Sequence, residues 1–463
     1  MVKSVPNKKI ELDLTKGSLF RHLLVVAIPL VLSQLLVVLF HTADTFIVGI
    51  FVDGTAVAGV GACSSIVALL IGLFLGVASG ANVVLAKSIG NHNEIKSKRI
   101  IGMSMVLSVA IGVVLLFVGL IFARPLLILM DTDPEVLDLA VKYFKWYMAG
   151  MPVLMLYQFC SAVMRAAGDT KRPLIYISIG GVLNVILNIV SITVFGMDVE
   201  GVAIATVISQ AVASYLCIRA LFKADGIVKL ERKYLKFYWS ELKEILHIGL
   251  PSGLQTCLFA LSNVLIQSAV NGFGEFAMAG NAYAVQLESF LFNTSNSIAI
   301  ANMTIVSQNY GARNVKRVRK TIINTTLFLT GLSTVLSLSL LGLANPLLIQ
   351  LTKNDLNSAL IIDFAMRRMK ITLILVFVSA YMDVFSLSLR GMGRSLSSMI
   401  ICLAGICLTR IIWLETVFKI SSTFETIFYS YPISWVLTSI VLVIFLVATI
   451  RKEKADDNGL KNI

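Results

Sequence analysis

Long apolar runs closed by short polar segments recur along this chain. They fall at about 20–50, 56–86, 99–123, 136–164, 173–196, 200–222, 240–271, 276–307, 318–343, 358–389, 395–418 and 425–450. A run of about 18 or more apolar residues crosses the hydrocarbon core as a helix, so the pattern predicts twelve transmembrane helices. Six lie in each half, and the halves repeat one another. Ile28-Pro29 opens the first run and Leu250-Pro251 the seventh. Lys87-Ser88-Ile89-Gly90-Asn91-His92-Asn93 is answered by Gln308-Asn309-Tyr310-Gly311-Ala312-Arg313-Asn314, and Arg165-Ala166-Ala167-Gly168-Asp169 by Arg390-Gly391-Met392-Gly393-Arg394. The period is far too long for a solenoid and describes one duplicated unit. Six crossings return the chain to its starting side, so the halves are parallel and related by an axis along the membrane normal.

The polar segments set the orientation. One alternate set holds Lys3, Lys8, Lys9, Lys16 and Arg21, then Lys87, Lys96, Lys98 and Arg99, and then Arg165, Lys171 and Arg172. It continues through the 223–239 region, Arg313 to Lys320, Arg390, Arg394 and the tail cations Arg451, Lys452 and Lys454. The other set carries Asp53, Asp131, Asp133, Asp198, Glu200, Glu275 and Asp355. The positive-inside rule then puts both termini in the cytoplasm of a multi-pass cell-membrane protein. The expected parts are an N-terminal segment 1–19, an N-lobe 20–222, a cytoplasmic linker 223–239, a C-lobe 240–450 and a tail 451–463.

Composition agrees with the lipid solvent. With 57% hydrophobic and 14% charged residues, the chain has too little polar surface to cover a soluble core. The net charge of +13 sits in short loops at membrane ends and is topological, so no nucleic-acid partner is expected. Cys63, Cys160, Cys217, Cys257, Cys402 and Cys407 all fall inside predicted helices without CxxC spacing, and read as packing residues. The polar N-terminal stretch has no short apolar core with a cleavage site, so no signal peptide is expected. No G-x-x-x-x-G-K-[ST] or HExxH sequence occurs, which argues against a primary pump, a cofactor or an enzyme.

Polar groups inside the spans carry the candidate chemistry. A carboxylate in a span is costly unless it pairs or takes up a proton or cation, which marks Asp44 first. Asn184 and Asn188 share one face of the fifth span, and Thr206 lies in the sixth. These groups either complete a coupling site with Asp44 or tie helices together. Gln34 and the second-half residues Gln255, Asn263, Gln267, Glu288 and Asp383 are candidates for a substrate cavity, with Asn271 extending the stripe on the seventh span. A stripe of that length suits an aqueous cavity better than lipid. Lys142, Lys145, Arg367, Arg368 and Lys370 are expected to snorkel to the interface. Gly72, Gly76 and Gly80 form overlapping GxxxG units for close packing, and Pro29 and Pro251 predict kinks at matching places.

Taken in order, these motifs resemble the multidrug and toxic compound extrusion (MATE) family over nearly the whole chain. The residues that carry the resemblance are Ala43-Asp44-Thr45-Phe46, Gly90 and Asn93, and Met164-Arg165-Ala166-Ala167-Gly168-Asp169-Thr170. To these are added Gly201-Val202-Ala203-Ile204-Ala205-Thr206-Val207-Ile208-Ser209-Gln210, Gln308-Asn309-Tyr310-Gly311-Ala312 and Leu389-Arg390-Gly391-Met392-Gly393. The resemblance implies an all-α, V-shaped pair of six-helix lobes that exports amphipathic, often cationic compounds in exchange for H+ or Na+. It places the coupling site at Asp44, Asn184 and Thr206, with Na+ a candidate ligand of those three. Asn188 stands where many members carry a second Asp, and one fewer negative charge weakens the hold on a bare cation. A lipid-linked oligosaccharide flippase of related architecture is the alternative, disfavoured because the mid-span charges are mainly acidic, Arg410 excepted. Two joined lobes already make a pseudo-symmetric unit, so a monomer is expected.

Overall fold

The computed structural model describes residues 12–51, 54–353 and 356–461, which are helical apart from short connections. Lys3, Lys8, Lys9, Asp53 and Asp355 lie outside the described residues, as does the side chain of Thr45. The first half holds α1 (Leu19–Phe51), α2 (Gly54–Gly90), α3 (Glu94–Leu129), α4 (Pro134–Ala149), α5 (Met151–Ala166), α6 (Lys171–Thr193) and α7 (Val199–Phe222). The second begins with α8 (Trp239–Asn271), α9 (Glu275–Gly311), α10 (Val315–Leu351), α11 (Ser358–Ile374) and α12 (Val376–Gly391). It ends with α13 (Ser395–Cys402), α14 (Thr409–Glu415), α15 (Val417–Ile420) and α16 (Phe424–Lys461), and a π-helical stretch, Leu403–Leu408, joins α13 to α14.

Among the described residues, nine helices are long and apolar enough to cross a membrane, and two bent pairs bring the number to eleven. The remaining predicted span is α9, 37 residues long. Asn281, Glu288, Asn293, Asn296 and Asn302 make it too polar to qualify by composition, unlike its counterpart α2. The bent pairs are α4 with α5, at 49°, and α11 with α12, at 52°, so the fourth and tenth predicted spans are each two helices. Helices α1 and α8 run on through Pro29 and Pro251 as single elements, and the breaks fall in other spans. At the first break Pro152 sits in the opening turn of α5, where its missing N–H leaves nothing unpaired.

Two compact units emerge, one built around Ile28–Gly253 and one around Leu254–Ile463 with Gly17–Ala27. Each is inside-out relative to a soluble protein, and α6 in the first unit shows why. Its outward stripe is Ile175, Ile179, Val182, Ile186 and Ile189, all substantially exposed, whereas Asn184 and Asn188 on the other face are 5% and 0% exposed. Helical periodicity separates the two stripes, and lipid reverses the usual sense of which face turns inward.

The repeated landmarks prove to be turn chemistry. After α2, His92 takes φ 51°, and Asn93 caps α3 by accepting from the backbone N–H of Lys96 at 3.0 Å. After α9, Arg313 takes φ 55°, and Asn314 caps α10 by accepting from Arg317 N at 3.1 Å. Gly168 and Gly393 occupy the matching left-handed position after α5 and α12, at φ 81° and 87°. The two copies therefore keep one backbone path with different side chains. Asn93→Ala and Asn314→Ala should each cost about 1 kcal/mol through loss of the cap. Thermal unfolding in detergent would measure this, and unchanged midpoints would show that the caps contribute nothing.

The GxxxG expectation for α2 gains a partner. Gly76 lies directly against Gly253 and Gly80 against Gly249, so α8 contributes its own small-residue pair, four residues apart, to an antiparallel crossing within the first unit. A Cβ on any of the four would meet backbone of the other helix.

The 223–239 region is tied down. Gly226–Val228 and Arg232–Tyr234 form 3-10 turns, and Glu231 accepts an ion pair from Lys98 at 2.7 Å and from Lys233 at 2.9 Å. These bonds, Lys98 first and Lys233 second, hold the Glu231 carboxyl down at about 2. A depressed folded value means the contact is complete above the ordinary carboxylate range and is lost only as pH falls through about 2. The predicted tail is likewise built into the fold, because α16 continues to Lys461 and Glu453 accepts from Tyr310 at 2.8 Å.

Candidate functional site

In the first unit, α1, α6 and α7 bring Asp44, Asn184, Asn188 and Thr206 into one hydrogen-bonded chain. Asn188 Nδ2 donates to Asp44 Oδ1 at 2.5 Å and, more weakly, to Asn184 Oδ1 at 3.4 Å. Asn184 Nδ2 donates to Thr206 Oγ1 at 3.1 Å, and Thr206 Oγ1 donates to the Val202 carbonyl at 3.0 Å. The register comes from helical spacing. Phe40 precedes Asp44 by one turn on α1, and Gly181, Asn184 and Asn188 lie on one face of α6. Gly181 has no Cβ, and an added one would stand inside the Phe40 ring, so the absence of a side chain lets α1 close on α6. Gly180 does the same toward the Ser209 carbonyl of α7.

The surroundings are apolar on one side and aromatic on another. Ile47, Val48, Ile192, Val199 and Val202 form a core cluster, with Tyr143 and Val185 packed against it. Tyr143 and Tyr147 stack at 5.8 Å, and both phenols lie close enough to feel the charge of Asp44. The donor set is four oxygen-bearing groups with one carboxylate, the hard chemistry a proton or an alkali cation uses. Asn188 Oδ1 is fully enclosed and has no hydrogen-bond partner among the described residues. A buried acceptor left over beside a carboxylate is a place for a proton or cation to land.

Gly181→Leu is expected to push Phe40 outward and carry Asp44 away from Asn188. Overpacking of this kind costs about 1–3 kcal/mol. Carbodiimide labelling of Asp44 in intact vesicles should increase, and unchanged labelling would show that Gly181 does not set the spacing.

The cavity candidates are distributed differently. Gln34 is exposed on α1 in the first unit, ten positions before Asp44. In the second unit Glu288 is 1% exposed and already paired. Arg368 Nη2 and Nε both donate to Glu288 Oε2, at 2.9 and 3.3 Å, and Thr372 donates to Oε1 at 2.5 Å. Arg368 also donates to Asn281, which donates to Gln267 at 2.8 Å, and Gln267 donates to Asn271 at 2.8 Å. Gln255 accepts from Arg390 at 3.3 Å and Asn263 from Arg410 at 3.2 Å. Asp383 accepts from Asn296 and lies in the field of Arg390. The polar stripe on α8 is thus bonded to neighbouring helices at Gln255, Asn263 and Gln267, and Asn271 is bonded to Gln267 within it.

One expectation for the cations is corrected. Arg368 does not snorkel; it is 5% exposed and turned inward, because Glu288 on α9 offers a carboxylate at the same depth. Lys142 keeps a half-exposed side chain and pairs with Glu200 at 2.5 Å. Sequence reasoning therefore missed Arg368 as a partner, along with Asn281 and Asn296. The visible signal was Arg368 and Thr372, one turn apart on a helix facing Glu288.

The family model MatE matches residues 29–190 and 251–414, one copy in each half. A probable multidrug resistance protein, YoeA, of Bacillus subtilis is 28% identical over 66% of this chain and 68% of its own length. The probable multidrug resistance protein NorM of Thermotoga maritima is 26% identical over 84% of each chain. The crystal structure of a mutant of the Vibrio cholerae MATE transporter VcmN superposes with a TM-score of 0.87 over 94% of this chain and 97% of that one, at 19% identity. The two matched segments begin at Pro29 and Pro251, the landmarks that opened the repeat, and this chain belongs to the MatE family.

Proposed function

We propose that the Asp44 cluster is the ion-coupling site of this transporter. The chain is a secondary active multidrug efflux protein that exports amphipathic, often cationic compounds in exchange for H+ or Na+ entering down its gradient; it is a membrane carrier and not an enzyme. The observation that carries the coupling site is the Asn188–Asp44 hydrogen bond, with Asn184 and Thr206 behind it. A proton arriving on Asp44 removes the charge that Asn188 is bonded to, and a charge-assisted hydrogen bond is about twice as strong as a neutral one. Protonation therefore loosens α1 from α6, and release of the proton restores the contact. Binding of the external ion and export of substrate alternate through that change.

One carboxylate among amides suits a proton better than a bare cation, because Na+ at Asp44 displaces the Asn188 donor. The Na+ reading is kept by one observation, the partnerless Asn188 Oδ1, which with Asp44, Asn184 and Thr206 supplies four oxygens. Dye efflux from proteoliposomes under an imposed pH gradient or an imposed Na+ gradient, one at a time, separates the two. Efflux driven by neither gradient sinks the coupling proposal. The reading is completed by a monomer with lobes at 20–222 and 240–450, both termini in the cytoplasm and no nucleic-acid partner, supported by the charge distribution.

A further inference from the structure

The second unit contains a buried cation with no carboxylate partner among the described residues. Arg410 lies in the opening turn of α14, just past the π-helical Leu403–Leu408. A π turn carries an extra residue and rotates the next helical segment by roughly 100° around the axis, and such turns recur at functional sites. The rotated guanidinium meets α8 and α16. Nη1 donates to Asn263 Oδ1 at 3.2 Å, and Nε donates to Ser434 Oγ at 3.4 Å. It lies over the ring of Tyr431 at 3.9 Å from the centroid. Every one of these partners is neutral.

The residue is 6% exposed, and among the described residues no carboxylate reaches it. The carboxylate at this depth, Glu288, is already held by Arg368, which shares the Tyr431 ring at 5.7 Å. Two guanidinium groups thus lie against one aromatic ring, and one acid pairs with one of them. Farther out, Arg367 is satisfied by Asp363 and Glu425. Nη2 of Arg410 has no partner among the described residues and is not one of the fully enclosed polar atoms, so it reaches accessible space. An unpaired buried charge within a membrane span is costly and persists where it has a task.

We propose that Arg410 is the anion-binding subsite of the second unit, and that it takes the carboxylate or phosphate of an amphiphile with an aromatic body. The guanidinium fork accepts such a group in bidentate fashion. Tyr431 stands beside it, within an aromatic series running from Phe428 through Tyr431 and Trp435 to Phe292, with successive centroids about 6 Å apart. The inference deepens the efflux reading by naming a substrate class, zwitterionic or acidic aromatic amphiphiles beside the cations. It also revises the charge balance that disfavoured anionic cargo, because Arg368 and Arg410 together outnumber Glu288 at this depth.

The test is equilibrium binding by fluorescence anisotropy on the purified full-length chain, so its failure is separable from failure of coupled transport. The probes are a rhodamine with a free carboxylate and the same rhodamine as its methyl ester. Arg410→Gln should weaken the free acid about tenfold and leave the ester within about twofold, as loss of one charge-assisted contact predicts. Arg410→Lys, which keeps the charge without the fork, should fall between. Equal loss of both dyes, or no loss of either, overturns the proposal. Should Arg410→Gln fail to fold, Asn263→Ala loosens the same guanidinium and should weaken the acid selectively. Repeating the titration with phosphatidylglycerol in the micelles assigns the source. Competition that disappears in Arg410→Gln makes the anion a lipid headgroup, and its absence leaves a carboxylate-bearing substrate.

Discussion

Exchange of Asp44 for Asn is expected to bring ion-driven dye efflux down to the level of protein-free liposomes while leaving membrane insertion and thermal stability close to wild type. The two side chains have nearly the same shape, and the neighbours of Asp44 are neutral amides that tolerate either. What disappears is the negative charge that a proton or cation must find. The carboxylate is held by Asn188 at 2.5 Å, so its charge state is read directly by α6. Asp44→Glu keeps the charge with one extra methylene and should retain a fraction of the activity. Asn188→Asp places a second carboxylate against the first. Two acids at that distance cannot both stay ionised without a shared proton or a cation, so this variant should become dependent on Na+. Intact gradient-driven efflux by Asp44→Asn would remove Asp44 from the coupling role, whatever the phenotype of the Asn188 variant.

The largest stability effect is expected at Arg368. Arg368→Leu leaves Glu288 buried and uncompensated, and breaking a buried pair from one side costs about 3–5 kcal/mol. The loss extends beyond the pair, because Arg368 also holds Asn281 and, through it, Gln267 and Asn271. Glu288→Leu combined with Arg368→Leu should recover much of the stability, since both desolvated charges are then gone. Thermal unfolding of the two single variants and the double, at matched detergent and pH, gives the coupling energy directly. Additive losses would mean that the pair does not interact energetically.

The candidate site was legible in part. Asp44 stood out because a carboxylate in an apolar run has few innocent explanations, and Asn184 and Asn188 fell on one face by simple spacing. The contact between them could not be read, because it depends on α1 closing onto α6 where Gly181 leaves room for Phe40. Arg368 was misplaced for a related reason. Near a helix end an arginine reaches the interface or turns inward equally well, and Glu288, about 80 positions earlier in the chain, decides it.

Sequence alone determined the apolar, helical character of the spans and the duplication, with Asn93 and Asn314 at matching places in it. All of these follow from local composition and from the length a helix needs to cross lipid. The broken spans, the pairing of Glu288 and the unbalanced charge of Arg410 were decided by tertiary structure. A buried charge is defined by what surrounds it, and its surroundings come from helices distant in the chain.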